Sequence, residues 1–142
     1  MAARKTLDLS LVTPEGAAYE GEAEMVVVPG AVGEIGVLAR HAPLVAMLKA
    51  GSLRVYQSID PEELREFATG PGFFKVEENR AIALVDDAVP AREIDPERAA
   101  RQREEAKAEL ERIDKGESTS DRWVVEQQLQ HAENQLEVVG RG

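Results

Sequence analysis

His41 is one of two histidines in the chain, set in Gly33-Glu-Ile-Gly-Val-Leu-Ala-Arg-His-Ala-Pro-Leu-Val-Ala-Met-Leu-Lys-Ala-Gly51. Arg40 precedes it, Glu34 lies upstream, and short apolar runs flank it. The stretch reads either as a general base with its surroundings or as a loop shaped to dock. A base needs a nucleophile or substrate within reach and a group to orient it. The chain has no cysteine and no Gly-x-Ser-x-Gly elbow, and its few serines fall in strands or turns. The second histidine, His131, lies among glutamines and glutamates on a helical stretch.

Metal and phosphate chemistry find little more. Glu62-Glu63, Glu77-Glu78 and Asp86-Asp87 are paired carboxylates. Neighbours on a strand point to opposite faces, so such pairs rarely converge on one ion and read as solvated turns. Gly30, Gly33 and Gly36, and later Gly70-Pro71-Gly72, lack the Gly-Lys-Ser/Thr of a phosphate loop. They read as turns and bulges between strands. Arg98, Arg101, Arg103, Lys107 and Arg112 share a stretch with about as many acids. That mixture is a solvated face laced with i,i+4 pairs, or a charged rod that seeks an acidic surface.

The elements that hold these residues come from two grammars. Through residue 90 the text is that of short strands. Leu7, Leu9 and Leu11 alternate with Asp8, Ser10 and Val12, followed by the turn Thr13-Pro-Glu-Gly16. Further runs are 24–28, 34–38, 45–48, 52–57, 64–69, 73–77 and 81–85, nearly all separated by glycine, proline or charge. Many short strands argue for an antiparallel sandwich or barrel.

After residue 90 the pattern becomes helical. Asp95 suits a cap, Pro96 the first helical position and Glu97 the positive end of the dipole. Ala99, Ala106, Leu110 and Ile113 share a face, and Asp114-Lys-Gly116 ends the helix. Ser118-Thr-Ser-Asp121 offers caps for a second helix that opens with Arg122. Its seam is Val125, Leu129, Ala132, Leu136 and Val139. The expected fold is α+β and mainly β: a sandwich over 1–90 and a two-helix antiparallel hairpin over 91–142. Ordering a residue costs roughly 1–2 kcal/mol, whereas a fully buried large apolar side chain returns about 1.5–3 kcal/mol. The seam holds few such side chains, and isolated helices of this length are marginal. The hairpin is therefore expected to depend on what it leans against, and to move.

Composition narrows the partners. The chain has 142 residues, 17 basic and 27 acidic, with a net charge of −10. That sign disfavours nucleic acid and anionic lipid. Arg4-Lys5 resembles the start of a signal sequence, but the alternation that follows lacks a continuous apolar core, so no targeting segment is expected. Apolar runs such as Met25–Val28 and Leu44–Leu48 are far short of the ~20 residues that span a bilayer.

The order Val28-Pro-Gly, Gly33-Glu-Ile-Gly-Val-Leu, His41-Ala-Pro-Leu, Gly72-Phe-Phe-Lys-Val and Ile94-Asp-Pro-Glu-Arg-Ala resembles the epsilon subunit of F-type ATP synthase. The resemblance covers roughly residues 6 to 139. It implies a flattened sandwich of about ten strands and a two-helix C-terminal domain in a non-catalytic central-stalk subunit. Its implied partners are the gamma subunit, the membrane c-ring and the alpha and beta subunits of the catalytic head. It implies that Glu34, Arg40 and His41 lie toward the ring. It also implies that the hairpin can fold on the sandwich or extend into the head, where it restrains ATP hydrolysis. The hairpin contacts would be Arg98, Arg101, Arg103, Lys107, Arg112 and Arg122. The implied location is the cytoplasmic face of a bacterial inner membrane.

Two departures stand out. The family usually has Pro-Gly before the histidine, whereas this chain has Ala39-Arg40; it often has Gly-Gly where this chain has Pro71-Gly72. No cofactor is expected beyond a regulatory ATP. Some members hold the hairpin folded with ATP through a motif like Ile94-Asp-x-x-Arg-Ala, which carries contacts over to Asp95 and Arg98. Val89 and Glu105 stand where those binders place an acid and a further arginine. A capping Asp-Pro with an arginine one turn on explains the same residues. The rival reading is a freestanding sandwich binding module with a fixed helical tail; a hydrolase using His41 is the other.

Overall fold

The computed structural model describes residues 5–140. Arg4 of the basic start, with the extreme ends of both expected domains, lies outside them. The chain divides into two compact units, Met1–Arg92 and Glu93–Gly142.

The first unit holds ten strands: β1 (Leu7–Thr13), β2 (Gly16–Ala23), β3 (Met25–Gly30), β4 (Gly33–Leu38), β5 (Leu44–Leu48), β6 (Gly51–Ser58), β7 (Glu63–Thr69), β8 (Gly72–Glu77), β9 (Arg80–Val85) and β10 (Ala88–Pro90). Their order is β10-β7-β6-β3-β5-β8-β9-β1-β2, with β4 on the free edge of β3. β3 and β5 share only Gly30↔Leu48 in register, flanked by bonds from Ala31 N–H to Met47 O (2.9 Å) and Lys49 N–H to Pro29 O (3.0 Å). At that narrow join the ladder turns over. Layer β10-β7-β6-β3-β4 then faces layer β5-β8-β9-β1-β2, and the sandwich is the result.

Alternation along the strands fills the space between the layers. Leu7, Leu9 and Leu11 of β1 are buried, as are Val26 and Val28 of β3, Leu53 and Val55 of β6, and Phe74 and Val76 of β8. Tyr19 of β2 meets Phe67 of β7 edge to face at 6.4 Å, and the Arg65 guanidinium lies 5.9 Å from the Tyr19 ring. One pair departs from the antiparallel expectation: β1 and β9 run parallel, Asp8↔Arg80 to Val12↔Leu84. Parallel neighbours need a long connection, and here nearly the whole unit intervenes.

The second unit is a helical hairpin. The Asp95 carboxylate Oδ1 accepts from Glu97 N–H (3.0 Å) and Arg98 N–H (3.3 Å), and Pro96 opens α1 (Pro96–Asp114). Gly116 at φ 73 closes that helix, with Glu117 N–H bonded back to Arg112 O at 2.8 Å. Asp121 Oδ1 accepts from Trp123 N–H at 2.9 Å to start α2 (Arg122–Gly140). The most buried positions are Ala99 and Ala106 on α1, and Val125, Ala132, Asn134 and Val138 on α2. The expected seam residues Leu110, Ile113, Leu129, Leu136 and Val139 are half-buried. A heptad count aligns position 139 with 125 and 132. At 3.6 residues per turn, Val138 lies about 120° round the axis from Ala132, so Asn134 and Val138, four residues apart, form a second buried face beside that seam.

Gly72 explains why a glycine follows Pro71. It sits between Leu48 on one side and Val85 on the other. A Cβ there would run into the Leu84 carbonyl oxygen and lie 2.8 Å from Val85 Cα. Gly72→Ala must therefore spread β8 from β9. It should destabilise the sandwich by about 1–3 kcal/mol, read as faster amide exchange at Phe74 and Val76. Unchanged exchange would mean that the ladder yields freely there.

Candidate docking surfaces

The loop that carries His41 follows β4. Its residues Ala39 and Arg40 form the turn, and β5 begins at Leu44. Arg40 is a non-glycine residue at φ 62. This is the position at which the family resemblance placed glycine, so the departure shows as left-handed backbone. The Arg40 N–H donates to Asn79 Oδ1 at 2.8 Å. His41 Nδ1 donates to the Ala42 carbonyl at 2.7 Å. Among the described residues the imidazole's hydrogen-bond partner is this backbone carbonyl and not a nucleophile or an acid.

Glu34 is not a free acid. Arg54 of β6 reaches across β3 and grips it in a fork, Nη1–Oε2 at 3.1 Å and Nη2–Oε1 at 3.3 Å. The hydrogen bond that Arg54 donates to Glu34 is the main cause that raises the Arg54 pKa further, partial burial working against it. Bidentate geometry fixes the Glu34 carboxylate more firmly than a single contact would. Sequence reasoning missed this partner. Arg54 is 20 residues away in the chain, and only the joint register of β4, β3 and β6 brings the two together.

Asn79 was missed as well. Glu78 (φ 50) and Asn79 (φ 62) form the tight turn between β8 and β9. A signal was present: an asparagine ending a two-residue gap between alternating strands favours left-handed turns.

The outward side of β5, β8 and β9 forms a second surface. Register aligns Met47↔Phe73 and Phe73↔Leu84, and beside them Val45↔Lys75 and Lys75↔Ile82. Met47 is 61% exposed, Val45 58%, Leu84 46%, Phe73 41% and Ile82 37%. Toward β1 and β2 this face continues into an open cleft of about 590 Å³ rimmed by Asp8, Glu20, Glu77, Glu78, Lys75 and Arg80. It is a contiguous apolar stripe with a mainly acidic border, of the kind that marks interaction sites.

The helical cations divide into two groups. Arg103 pairs with Glu104 (3.1 Å), and Arg112 with Glu109 (3.1 Å). Arg122 bridges Asp114 of the other helix and also meets Glu126 at 3.5 Å. Arg98, Arg101 and Lys107 are exposed and hold no ion pair among the described residues. The structure uses Asp95 as a helix cap, with Arg98 bonded to it through its backbone N–H. Among the described residues no His/Cys/Asp/Glu group could hold a metal ion, and no helix is long and apolar enough to cross a membrane.

Comparison with known proteins agrees with this architecture. The sequence profile of the beta-sandwich domain of the ATP synthase delta/epsilon chain matches residues 6–91. This chain belongs to that family. An ATP synthase epsilon chain from Rubrobacter xylanophilus is 41% identical over 112 residues, covering 79% of this chain and 75% of its own. One from Latilactobacillus sakei is 31% identical over 135 residues, 95% of this chain and 93% of its own. Among solved structures, a chain of the Euglena gracilis mitochondrial ATP synthase (OSCP/F1/c-ring) aligns with TM-score 0.70 at 25% identity, over 94% of this chain and 81% of that one. A chain of the Tetrahymena thermophila central stalk/c-ring shares the fold, with TM-score 0.52 at 15% identity over 65% of this chain and 72% of that one. The epsilon-chain matches thus extend past the sandwich into the helical hairpin.

Glu109 gives the hairpin a pH dependence. Hydrogen bonds from Ser118 and then Ser120 hold its carboxyl below the ordinary range, with the Arg112 charge adding to them. A lowered folded-state pKa stabilises the fold above the unfolded value of about 4.3, and that gain is lost as pH falls through the folded value. Glu109→Gln should therefore lower the urea midpoint at pH 7, followed by Trp123 fluorescence. The gap from the native chain should narrow as pH falls below the unfolded value and close once the carboxyl is protonated in the folded state. A gap that persists in acid would assign the effect to something other than this charge.

Proposed function

We propose that this chain is a central-stalk rotor subunit of a proton-driven F-type ATP synthase and performs no catalysis itself. The sandwich couples the gamma subunit to the membrane c-ring. The hairpin restrains ATP hydrolysis by reaching the alpha and beta subunits of the head. In a bacterium the chain would work at the cytoplasmic face of the inner membrane, held there through its protein partners.

The observation that carries this reading is the apolar stripe Met47–Phe73–Leu84, in a family of ATP synthase chains. An acidic protein that keeps these side chains in water has a reason to do so when another subunit covers them. Met and aromatic residues are favoured in interface cores. The acidic rim fits a partner with basic residues around an apolar patch, and gamma is the partner we assign to it. Glu34, Arg40 and His41 are assigned to the ring, where charge sets orientation more than affinity. The hairpin assignment rests on Arg98, Arg101 and Lys107, whose side chains are left without acid partners within the described chain. Regulatory ATP gains no support from Asp95, whose carboxylate is occupied by the cap.

Two experiments test the halves separately. Phe73→Asp and Met47→Asp point outward, away from buried Phe74 and Leu48, so the fold should survive. Each should weaken co-purification with gamma by roughly tenfold or more. Undiminished co-purification would remove the stripe as the gamma surface and favour the freestanding module with a fixed tail. Removing residues 91–142 leaves β10, which ends at Pro90, paired with β7. The assembled enzyme should then hydrolyse ATP faster than the native one, and an unchanged rate would end the restraint proposal.

A further inference from the structure

The loop between β4 and β5 combines an unfavourable backbone with an uncommitted cation. Arg40 sits at φ 62, a conformation disfavoured for any residue with a Cβ and natural to glycine. Its side chain is exposed and forms no ion pair among the described residues. Backbone held in this way points toward function more often than toward packing.

Asn79 holds it there. Its Oδ1 accepts the Arg40 N–H at 2.8 Å while its Nδ2 donates to Thr6 O at 2.9 Å. The orientation of the amide is fixed by its partners, since one is a donor and the other an acceptor. The Asn79 carbonyl also takes the Asp8 N–H at 3.1 Å. One side chain in the β8–β9 turn therefore ties the β4–β5 loop to the start of β1.

We propose that Asn79 is the positioning residue of this loop, and that Arg40, held by it, recognises a carboxylate on the polar loops of the ring. This rests on the stalk reading above. The guanidinium is always charged, and its forked donors match a carboxylate. The chain as a whole carries −10, and Glu77 and Glu78 lie directly beside Asn79 in sequence. A broad anionic membrane surface meets all of that negative charge and is repelled. A single carboxylate in contact with the Arg40 guanidinium gains at close range, while chain charges farther than about 8–10 Å are screened.

Full-length Arg40→Gly, Arg40→Ala and Asn79→Gly chains, added back to a gamma–ring complex stripped of the native subunit, test this. Arg40→Gly should melt above the native chain, since it relieves the backbone, whereas Arg40→Ala should not. Both should dock about fivefold more weakly at low salt, and the deficit should vanish at high salt. A variant that is more stable yet docks less well is not explained by a structural role. Asn79→Gly keeps the left-handed turn but removes the side-chain bonds. It should speed amide exchange at Arg40 and dock as weakly as Arg40→Ala. Native docking by either Arg40 variant at low salt overturns the proposal, as does an Arg40 amide still protected in Asn79→Gly. Arg40-dependent binding to phosphatidylserine vesicles without the ring would replace the carboxylate by a lipid phosphate and overturn it too. A native chain that fails to dock removes the stalk reading itself, and this assignment with it.

Discussion

A β-strand that buries one side chain must present the next one outward, and the sandwich depends on that alternation. β8 shows it most simply. Phe74 and Val76 point into the core, which commits Phe73, Lys75 and Glu77 to the outer face. The core could not close if β8 slipped by one residue, because every inward side chain would exchange places with an outward one. Burial thus fixes the inner set by packing and leaves the outer set available for function. Met47, Phe73 and Leu84 are scattered in sequence and form a row only because β5, β8 and β9 share one register.

That register is pinned at both ends of β8. Gly72 permits a close approach to Leu84 and Val85 at one end, where any side chain would force the strands apart. At the other end, Glu78 and Asn79 turn the chain directly into β9. Asn79 also bonds the Arg40 backbone. The turn that sets the apolar row therefore also sets the loop, and the two candidate surfaces share a support. Each such hydrogen bond contributes only about 1 kcal/mol net, and this one acts on the Arg40 backbone, from which the exposed side chain departs.

Much of the fold was legible because period and punctuation are local. Leu7, Leu9 and Leu11 announced β1, and Asp95, Gly116 and Asp121 marked the helix ends where they occur. β2 was not read, since Gly-Ala-Ala-Tyr-Glu-Gly-Glu-Ala has little β propensity and is held by its pairing with β1. β10 is three residues ending in proline, and only its partner β7 makes it a strand. The site was less legible for the same reason. Glu34 and Arg40 were found as residue types, but the grip of Arg54 and the hold of Asn79 exist only after distant strands have met.

The helical unit follows different energetics. Its most buried positions are mainly small, Ala99, Ala106 and Ala132 among them, and each returns little free energy on burial. Its surface ion pairs add at most about 1 kcal/mol apiece. A hairpin with so thin a seam has modest cohesion of its own, so contacts made elsewhere carry unusual weight in deciding its state. Under the proposed function, moving such an element from one resting place to another at nearly complete occupancy requires a differential of about 5.5 kcal/mol. Arg98, Arg101 and Lys107, which hold no ion pair among the described residues, are the groups through which an acidic partner can supply part of that difference. The exposed Trp123 and Val124 at the start of α2 can supply apolar contact. Of the charges that do pair internally, Arg122 with Asp114 joins the two helices, whereas Arg112 with Glu109 lies within α1. The cross-helix pair thus adds modestly to the seam, and under the proposed function the cations without an ion pair among the described residues leave the hairpin's destination to the partner.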